Sequence, residues 1–178
     1  MTESKNILLT GFMGSGKSTV GRIIAEKLNR EFLDTDEKIE EDQNQTISHI
    51  FREKGEAHFR LLEKLVINDI CRTGNSVIAT GGGSLLNEDN LDMSLQTGIV
   101  FCLTAEIDIL ISRMGNRRNR PMVSEKNSDA IIELYDSRKN SYNKLPNQID
   151  TSDISPHETA DIIVKLYEKL NNKTGAEK

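Results

Sequence analysis

The chain has 178 residues and a mass of 20.0 kDa, which suits one domain and leaves no room for two substantial ones. Its 23 basic side chains against 28 acidic ones, a net charge of -5, argue against general affinity for nucleic acid or anionic membranes. No apolar run approaches the roughly 18 residues of a membrane span and the N-terminus carries no signal-peptide pattern, so a cytoplasmic protein is expected.

In chain order, short apolar runs alternate with amphipathic stretches. Residues 6–10 read as a first strand and run into Gly11-Phe12-Met13-Gly14-Ser15-Gly16-Lys17-Ser18-Thr19. This satisfies Gly-x-x-x-x-Gly-Lys-Ser/Thr between a strand and a helix. The helix is expected over 17–28, where Val20, Ile23, Ile24 and Leu28 keep one face apolar. Gly14, Ser15, Gly16, Lys17, Ser18 and Thr19 are therefore the candidate triphosphate cradle. Glycines let successive N–H groups converge, and the helix N-terminus adds partial positive charge. Lys17 brings a mobile cation to the β- and γ-phosphates, and Ser18 places a hydroxyl where Mg²⁺ would sit.

Residues 31–34 read as a second strand that leads into FLDTD (32–36). On a strand, Asp34 and Asp36 would point to one side and reach the same cleft. Two such carboxylates repel unless a cation or donors compensate, and a hydrated Mg²⁺ with a substrate hydroxyl would do so. The plainer alternative is that Asp36 starts the helix that Glu37 continues. A helix over 55–72 puts Phe59, Leu62, Val66 and Ile70 on one face and holds Arg60 between Glu56 and Glu63; an exposed salt-bridge face is its plainer alternative. The third run, 76–80, opens into Gly81-Gly82-Gly83, where bare backbone would admit a ligand or form a hinge.

A fourth run, 98–103, and a helix over 105–113 lead to RMGNRRNRP (113–121), a segment with four arginines and no acid. Such like charges read as a lid that closes over triphosphate, with Arg120 as the charge stabiliser, or else as a solvated basic loop. In the helix over 129–142, Ile131, Leu134, Tyr135 and Tyr142, with Leu145 beyond, form an apolar stripe that contains Arg138. A cation there is costly unless it is paired or meets an anion, although one at the stripe edge could snorkel. The fifth run is 148–151, and the last helix, 156–170, is started by Ser155, Pro156 and Glu158. The polar tail 171–178 is expected to be disordered. Cys71 and Cys102 read as reduced core residues. Strands alternating with helices predict an α/β fold: a parallel sheet wrapped on both faces, with its ligand site beyond the C-terminal strand ends.

Together, GFMGSGKST (11–19), FLDTD (32–36), the residues Ile50, Phe51, Glu53 to Glu56, His58, Phe59, Arg60 and Glu63, ATGGG (79–83), RNRPM (118–122) and the stretch around Arg138 resemble the shikimate kinases, small P-loop kinases related in fold to nucleoside monophosphate kinases. The resemblance implies a single P-loop kinase domain over 1–170, with a substrate-binding region at about 34–63 and a lid at about 113–125. It implies a three-layer fold whose five-stranded parallel sheet has the order 2-3-1-4-5, flanked by helices, with a mobile lid. The implied reaction moves the γ-phosphoryl group of ATP to the 3-hydroxyl of shikimate, with one Mg²⁺ per site, in a cytoplasmic monomer that needs no nucleic acid or membrane.

By the same resemblance, Lys17 and Ser18 match the phosphate and Mg²⁺ ligands, Asp34 the residue that holds Mg²⁺ through water, and Asp36 the partner of the reacting hydroxyl. Arg60 and Arg138 match the clamp on the shikimate carboxylate. Gly81, Gly82 and Gly83 match the wall of that pocket, with Phe51 and Phe59 beside the ring. Arg113 matches the arginine packed on adenine and Arg120 the lid arginine. Met122 after Pro121 departs from the usual leucine, and Arg117 and Arg118 make the segment unusually basic. A kinase for another small metabolite or a nucleoside monophosphate, and a non-catalytic nucleotide-binding module, are the competing readings.

Overall fold

The computed structural model describes residues 5–115 and 125–175. Strands β1 (Asn6–Thr10), β2 (Phe32–Asp34), β3 (Val77–Ala79), β4 (Gly98–Thr104) and β5 (Gln148–Asp150) form one sheet in the order β2-β3-β1-β4-β5, every pairing parallel. Helices α1 (Lys17–Leu28), α2 (Thr35–Gln43), α3 (Ile47–Ile70), α4 (Glu88–Thr97), α5 (Ile107–Gly115), α6 (Glu125–Tyr142) and α7 (Pro156–Gly175) connect and flank the strands. No helix among the described residues is long and apolar enough to cross a membrane.

β1 is apolar on both faces because both faces are covered. Ile7 and Leu9 pack with Phe101 and Leu103 of β4 against Val20 and Ile24 of α1 and Ala160 and Ile163 of α7. Leu8, one residue out of phase, joins Ile78 and Val100 on the opposite face with Ile50, Phe59 and Ile67 of α3. A third cluster, of Phe12, Cys102, Leu110, Met114, Ile131, Tyr142 and Leu145, lies under α5 and α6. Cys71 and Cys102 are free and buried, and burial pushes the Cys102 thiol up to about 11.

Several local expectations change. FLDTD is not a strand throughout: β2 ends at Asp34, whose Oδ1 caps α2 by accepting from the Asp36 N–H at 3.0 Å, and Asp36 lies in the first helical turn. The cap is thus Asp34, and the two carboxylates are related by a helix start, not by strand alternation. α3 begins upstream of the expected helix and is two segments joined at Gly55, whose φ of 79° and ψ of 173° favour glycine. α4, with few apolar residues, has no strong periodicity; Asn87 starts it by accepting from the Asn90 N–H at 3.2 Å. α7 runs on to Gly175, five residues into the tail expected to be disordered. Its start is well made, since Ser155 and Glu158 exchange capping bonds at 2.8 and 3.2 Å, and elongation costs little once a helix has nucleated.

Candidate active site

The phosphate loop leaves the C-terminal end of β1 and enters α1. Gly14 and Gly16 take left-handed φ values of 83° and 96°, and a Cβ on Gly14 would stand 2.8 Å from the Leu110 carbonyl oxygen. Larger residues are disfavoured by conformation at both positions and by space at Gly14. Ser15 is 1% exposed and its hydroxyl has no hydrogen-bond partner among the described residues, an unsatisfied group suited to an incoming acceptor. Lys17 Nζ donates to the carbonyls of Gly11 and Phe12 at 2.9 and 3.1 Å, so the ammonium is held over the loop. Thr19 is exposed one turn into α1.

Ser18 Oγ donates to Asp34 Oδ2 at 2.7 Å. A hydroxyl and a carboxylate therefore meet at the N-terminus of α1. Among the described residues no three His, Cys, Asp or Glu side chains gather into a metal cage. That donor set fits Mg²⁺, which keeps several waters and takes few protein ligands when phosphates supply the rest.

Asp34 is in register with Ala79, so β2 and β3 end level and the start of α2 stands against Gly81. The Gly81 N–H donates to the Thr35 hydroxyl at 2.9 Å. A Cβ on Gly81 would lie 2.7 Å from Asp36 Oδ1 and 2.8 Å from Glu63 Oε1, so two carboxylates flank this glycine. A Cβ on Gly82 would lie 3.7 Å from the Met13 nitrogen, which sets the glycine wall beside the phosphate loop. A Cβ on Gly83 would lie 3.2 Å from Nη1 of both Arg60 and Arg138. Guanidiniums from α3 and α6 thus converge over one backbone position, their mutual repulsion offset in part by Glu56 and Glu63, and they could together receive an anion.

Arg60 is held as its spacing predicts: Nη1 donates to Glu63 at 2.5 Å and Nη2 to Glu56 at 2.8 Å. The pair is buried unequally, the Glu63 side chain being 2% exposed and that of Arg60 34%. Burial pushes the Glu63 carboxyl up despite its bonds to Arg60. Burial pulls the Arg60 guanidinium down, and the bonds to Glu63 and Glu56 outweigh it and raise it. Both values move up, for different reasons: desolvation prevails at the buried carboxylate, the hydrogen-bonded carboxylates prevail at the more exposed guanidinium. Phe51, at the edge of the region, stacks at 4.6 Å on buried Phe59, whose ring lies 5.6 Å from the Arg60 guanidinium. Arg113 donates to the Thr151 hydroxyl at 2.9 Å and to its carbonyl at 2.5 Å, fixing its guanidinium at the exit of β5.

Lys17, Ser18, Asp34, Asp36, Arg60, Gly81, Gly82, Gly83 and Arg138 therefore line one region at the C-terminal ends of β1, β2 and β3. Arg117, Arg118, Arg120, Pro121 and Met122 lie outside the described residues. Thr35 and Tyr142 escaped the sequence analysis as site residues. Thr35 carries no signal beyond its place between two aspartates; Tyr142 has one, a phenol within an apolar stripe.

The shikimate kinase family model matches residues 13–169. The shikimate kinase of Thermodesulfovibrio yellowstonii is 41% identical over 94% of this chain and 98% of its own length. That of Thermoanaerobacter pseudethanolicus is 40% identical over 93% and 98%. Among solved structures, the shikimate kinase of Acinetobacter baumannii in complex with shikimate superposes with a TM-score of 0.85 at 36% identity, covering 97% of this chain and 96% of that one. With matches of this extent, and a phosphate loop set against a paired-arginine pocket, the chain belongs to the shikimate kinase family.

Proposed function

We propose that the chain carries out its family's reaction with the residues gathered at this site. It is an ATP-dependent phosphotransferase that converts shikimate and ATP to shikimate 3-phosphate and ADP. The observation that carries the assignment is the convergence of Arg60 and Arg138 over Gly83, each with Nη1 at 3.2 Å from its Cβ position. Two guanidiniums aimed at one point suit a carboxylate, with charge-assisted hydrogen bonds worth roughly 1.5–3 kcal/mol each. A neutral sugar offers nothing to that clamp.

In this reading Arg60 and Arg138 hold the shikimate carboxylate against the wall of Gly81, Gly82 and Gly83, with Phe51 and Phe59 beside the ring. The held ring presents its 3-hydroxyl to Asp36, whose carboxylate accepts a hydrogen bond from it. The N–H groups of Gly14, Ser15, Gly16, Ser18 and Thr19 cradle the triphosphate, and Lys17 exchanges its carbonyl partners for phosphate oxygens. Arg113 packs on the adenine and Arg120 faces the charge that develops on the transferred group. An arginine in that role is worth about 10³–10⁵ in rate in related phosphoryl transfers. Ser18 directly, and Asp34 through water, would hold one Mg²⁺, which would supply positive charge against the phosphates. The residues 1–170 act as one kinase domain, with a lid at about 113–125, in a cytoplasmic monomer; the two free buried thiols support a reducing compartment.

The test is ADP release by the purified chain with Mg²⁺ and ATP, with and without shikimate. Release should require shikimate, and Arg138→Ala should raise the KM for shikimate by about 10²-fold or more while ATP still binds. ADP release indifferent to shikimate, or an Arg138→Ala enzyme with unchanged KM, refutes the assignment.

A further inference from the structure

Tyr142 is not explained by packing alone. It ends α6, one turn beyond Arg138, and is 4% exposed. Gln148 Nε2 donates to its carbonyl at 3.1 Å and to that of Leu145 at 3.4 Å, which fixes the end of the helix. A phenylalanine would fill the same volume, yet the hydroxyl is aimed: it donates to the carbonyl of Gly82, the middle residue of the glycine wall. The Tyr142 ring also stands edge-on to Phe12 of the phosphate loop, with centroids 6.3 Å apart and planes at 86°. Phe12 is the residue whose carbonyl accepts from Lys17 Nζ at 3.1 Å. One side chain therefore touches the acceptor wall and the donor loop and lies beside the clamp.

We propose that Tyr142 is a positioning residue for phosphoryl transfer, which keeps the acceptor wall at Gly82 and the clamp at Arg138 in register with the phosphate loop at Phe12. The inference rests on the reading of the site given above and deepens it. Transfer between two bound substrates needs the attacking oxygen and the phosphorus held at near-contact, and the two cradles lie on different elements. A tie between them fixes a distance that neither cradle fixes alone. Burial pushes the phenol up to about 12, against the opposing charge and hydrogen bond of Arg138, so the hydroxyl stays a donor throughout the working pH range.

The experiment compares Tyr142→Phe, Arg138→Lys, the double variant and, as a control outside the site, Tyr167→Phe, whose buried hydroxyl donates to the Lys5 carbonyl at 2.8 Å, by steady-state kinetics, ATP-binding titration and thermal melting. Tyr142→Phe should lower kcat by about 10-fold and raise the KM for shikimate several-fold, with the Kd for ATP within about twofold of wild type. The double variant should lose less than the product of the single losses, because the two residues act on one clamp. Tyr167→Phe should leave kcat and both KM values unchanged. Wild-type kinetics in Tyr142→Phe, with or without a lower Tm, make the residue a packing group and overturn the inference. So does a Tyr142→Phe chain that neither binds ATP nor melts cooperatively, since its role is then in folding. A wild-type chain that makes no ADP in response to shikimate overturns the reading of the site first, and this inference with it.

Discussion

Gly81→Ala tests the geometry of the site with one methyl group. Gly81 is not among the glycines with left-handed φ, so alanine meets no backbone penalty there and the variant reports contacts alone. The added carbon would stand 2.7 Å from Asp36 Oδ1 and 2.8 Å from Glu63 Oε1, inside the 3.0 Å that real Cβ contacts essentially never breach. Something must retreat by a few tenths of an ångström. Glu63 is poorly placed to do so, being 2% exposed and bonded to Arg60 at 2.5 Å; moving it drags the clamp. The Gly81 backbone is tied to Thr35 at 2.9 Å, so moving the wall shifts the start of α2. Moving Asp36 displaces the carboxylate proposed to partner the reacting hydroxyl. Each escape misplaces one reacting group, and misplacement by about 1 Å can cost about 10²-fold. The variant should lose about 10²-fold in kcat/KM for shikimate and about 1–3 kcal/mol of stability from overpacking, with ATP affinity within about twofold. Gly83→Ala is the internal comparison: its Cβ would meet two guanidinium nitrogens at 3.2 Å, tight contacts that long side chains relieve. It should raise the KM for shikimate only several-fold. Coupled ADP-release assays at saturating ATP, with ATP titration of each variant, give all these quantities. A Gly81→Ala enzyme within about twofold of wild type, or a Gly83→Ala enzyme more impaired than it, refutes the contact argument.

Two further variants address the metal and the buried carboxylate. Ser18→Ala removes the hydroxyl bonded to Asp34 at 2.7 Å but leaves the Asp34 cap on α2. It should raise the Mg²⁺ concentration for half-maximal rate by about 10-fold with little change in Tm; an unaltered Mg²⁺ titration refutes the assignment of Ser18. Glu63→Gln tests the raised Glu63 carboxyl, whose first cause is burial. Because its native pKa lies above the unfolded value, the native state holds the extra proton between the two, and the stability it contributes below about pH 4.3 is lost as pH rises through the native value. The Tm of Glu63→Gln relative to wild type should therefore rise across that window and level off above it, while the KM for shikimate worsens as Arg60 loses one of its two charged partners. A Tm difference that is flat in pH, or falls as pH rises, contradicts the burial argument.

How far the sequence reaches is set by the range of the interaction each residue depends on. β1 is legible because Ile7, Leu8 and Leu9 need only their own apolar character to mark a strand covered on both faces. The phosphate loop is legible because its chemistry lies within one strand–loop–helix unit. Arg60 is legible in part, since Glu56 and Glu63 hold it from the same helix. Asp36 is legible only as a choice: the sequence shows two carboxylates two residues apart, but whether the chain is extended there or already helical depends on where β2 stops. β2 stops where its pairing with β3 stops, at Asp34 beside Ala79. The contact of Asp36 and Glu63 about Gly81 is likewise a product of sheet register, and no local pattern contains it. At Gly55 the expected helix starts where the second segment of α3 starts, and the part not foreseen is the segment before it, which carries Phe51. Arg138 shows what a sequence can still do with a long-range fact. A cation inside an apolar stripe announces an unmet electrostatic need without naming its partner. The fold answers by bringing a second guanidinium, from α3, to the same point over Gly83. That guanidinium arrives with Glu56 and Glu63, which take up part of the charge of both arginines, so what the pair still offers over the bare Gly83 backbone is a set of directed donors suited to an anionic ligand.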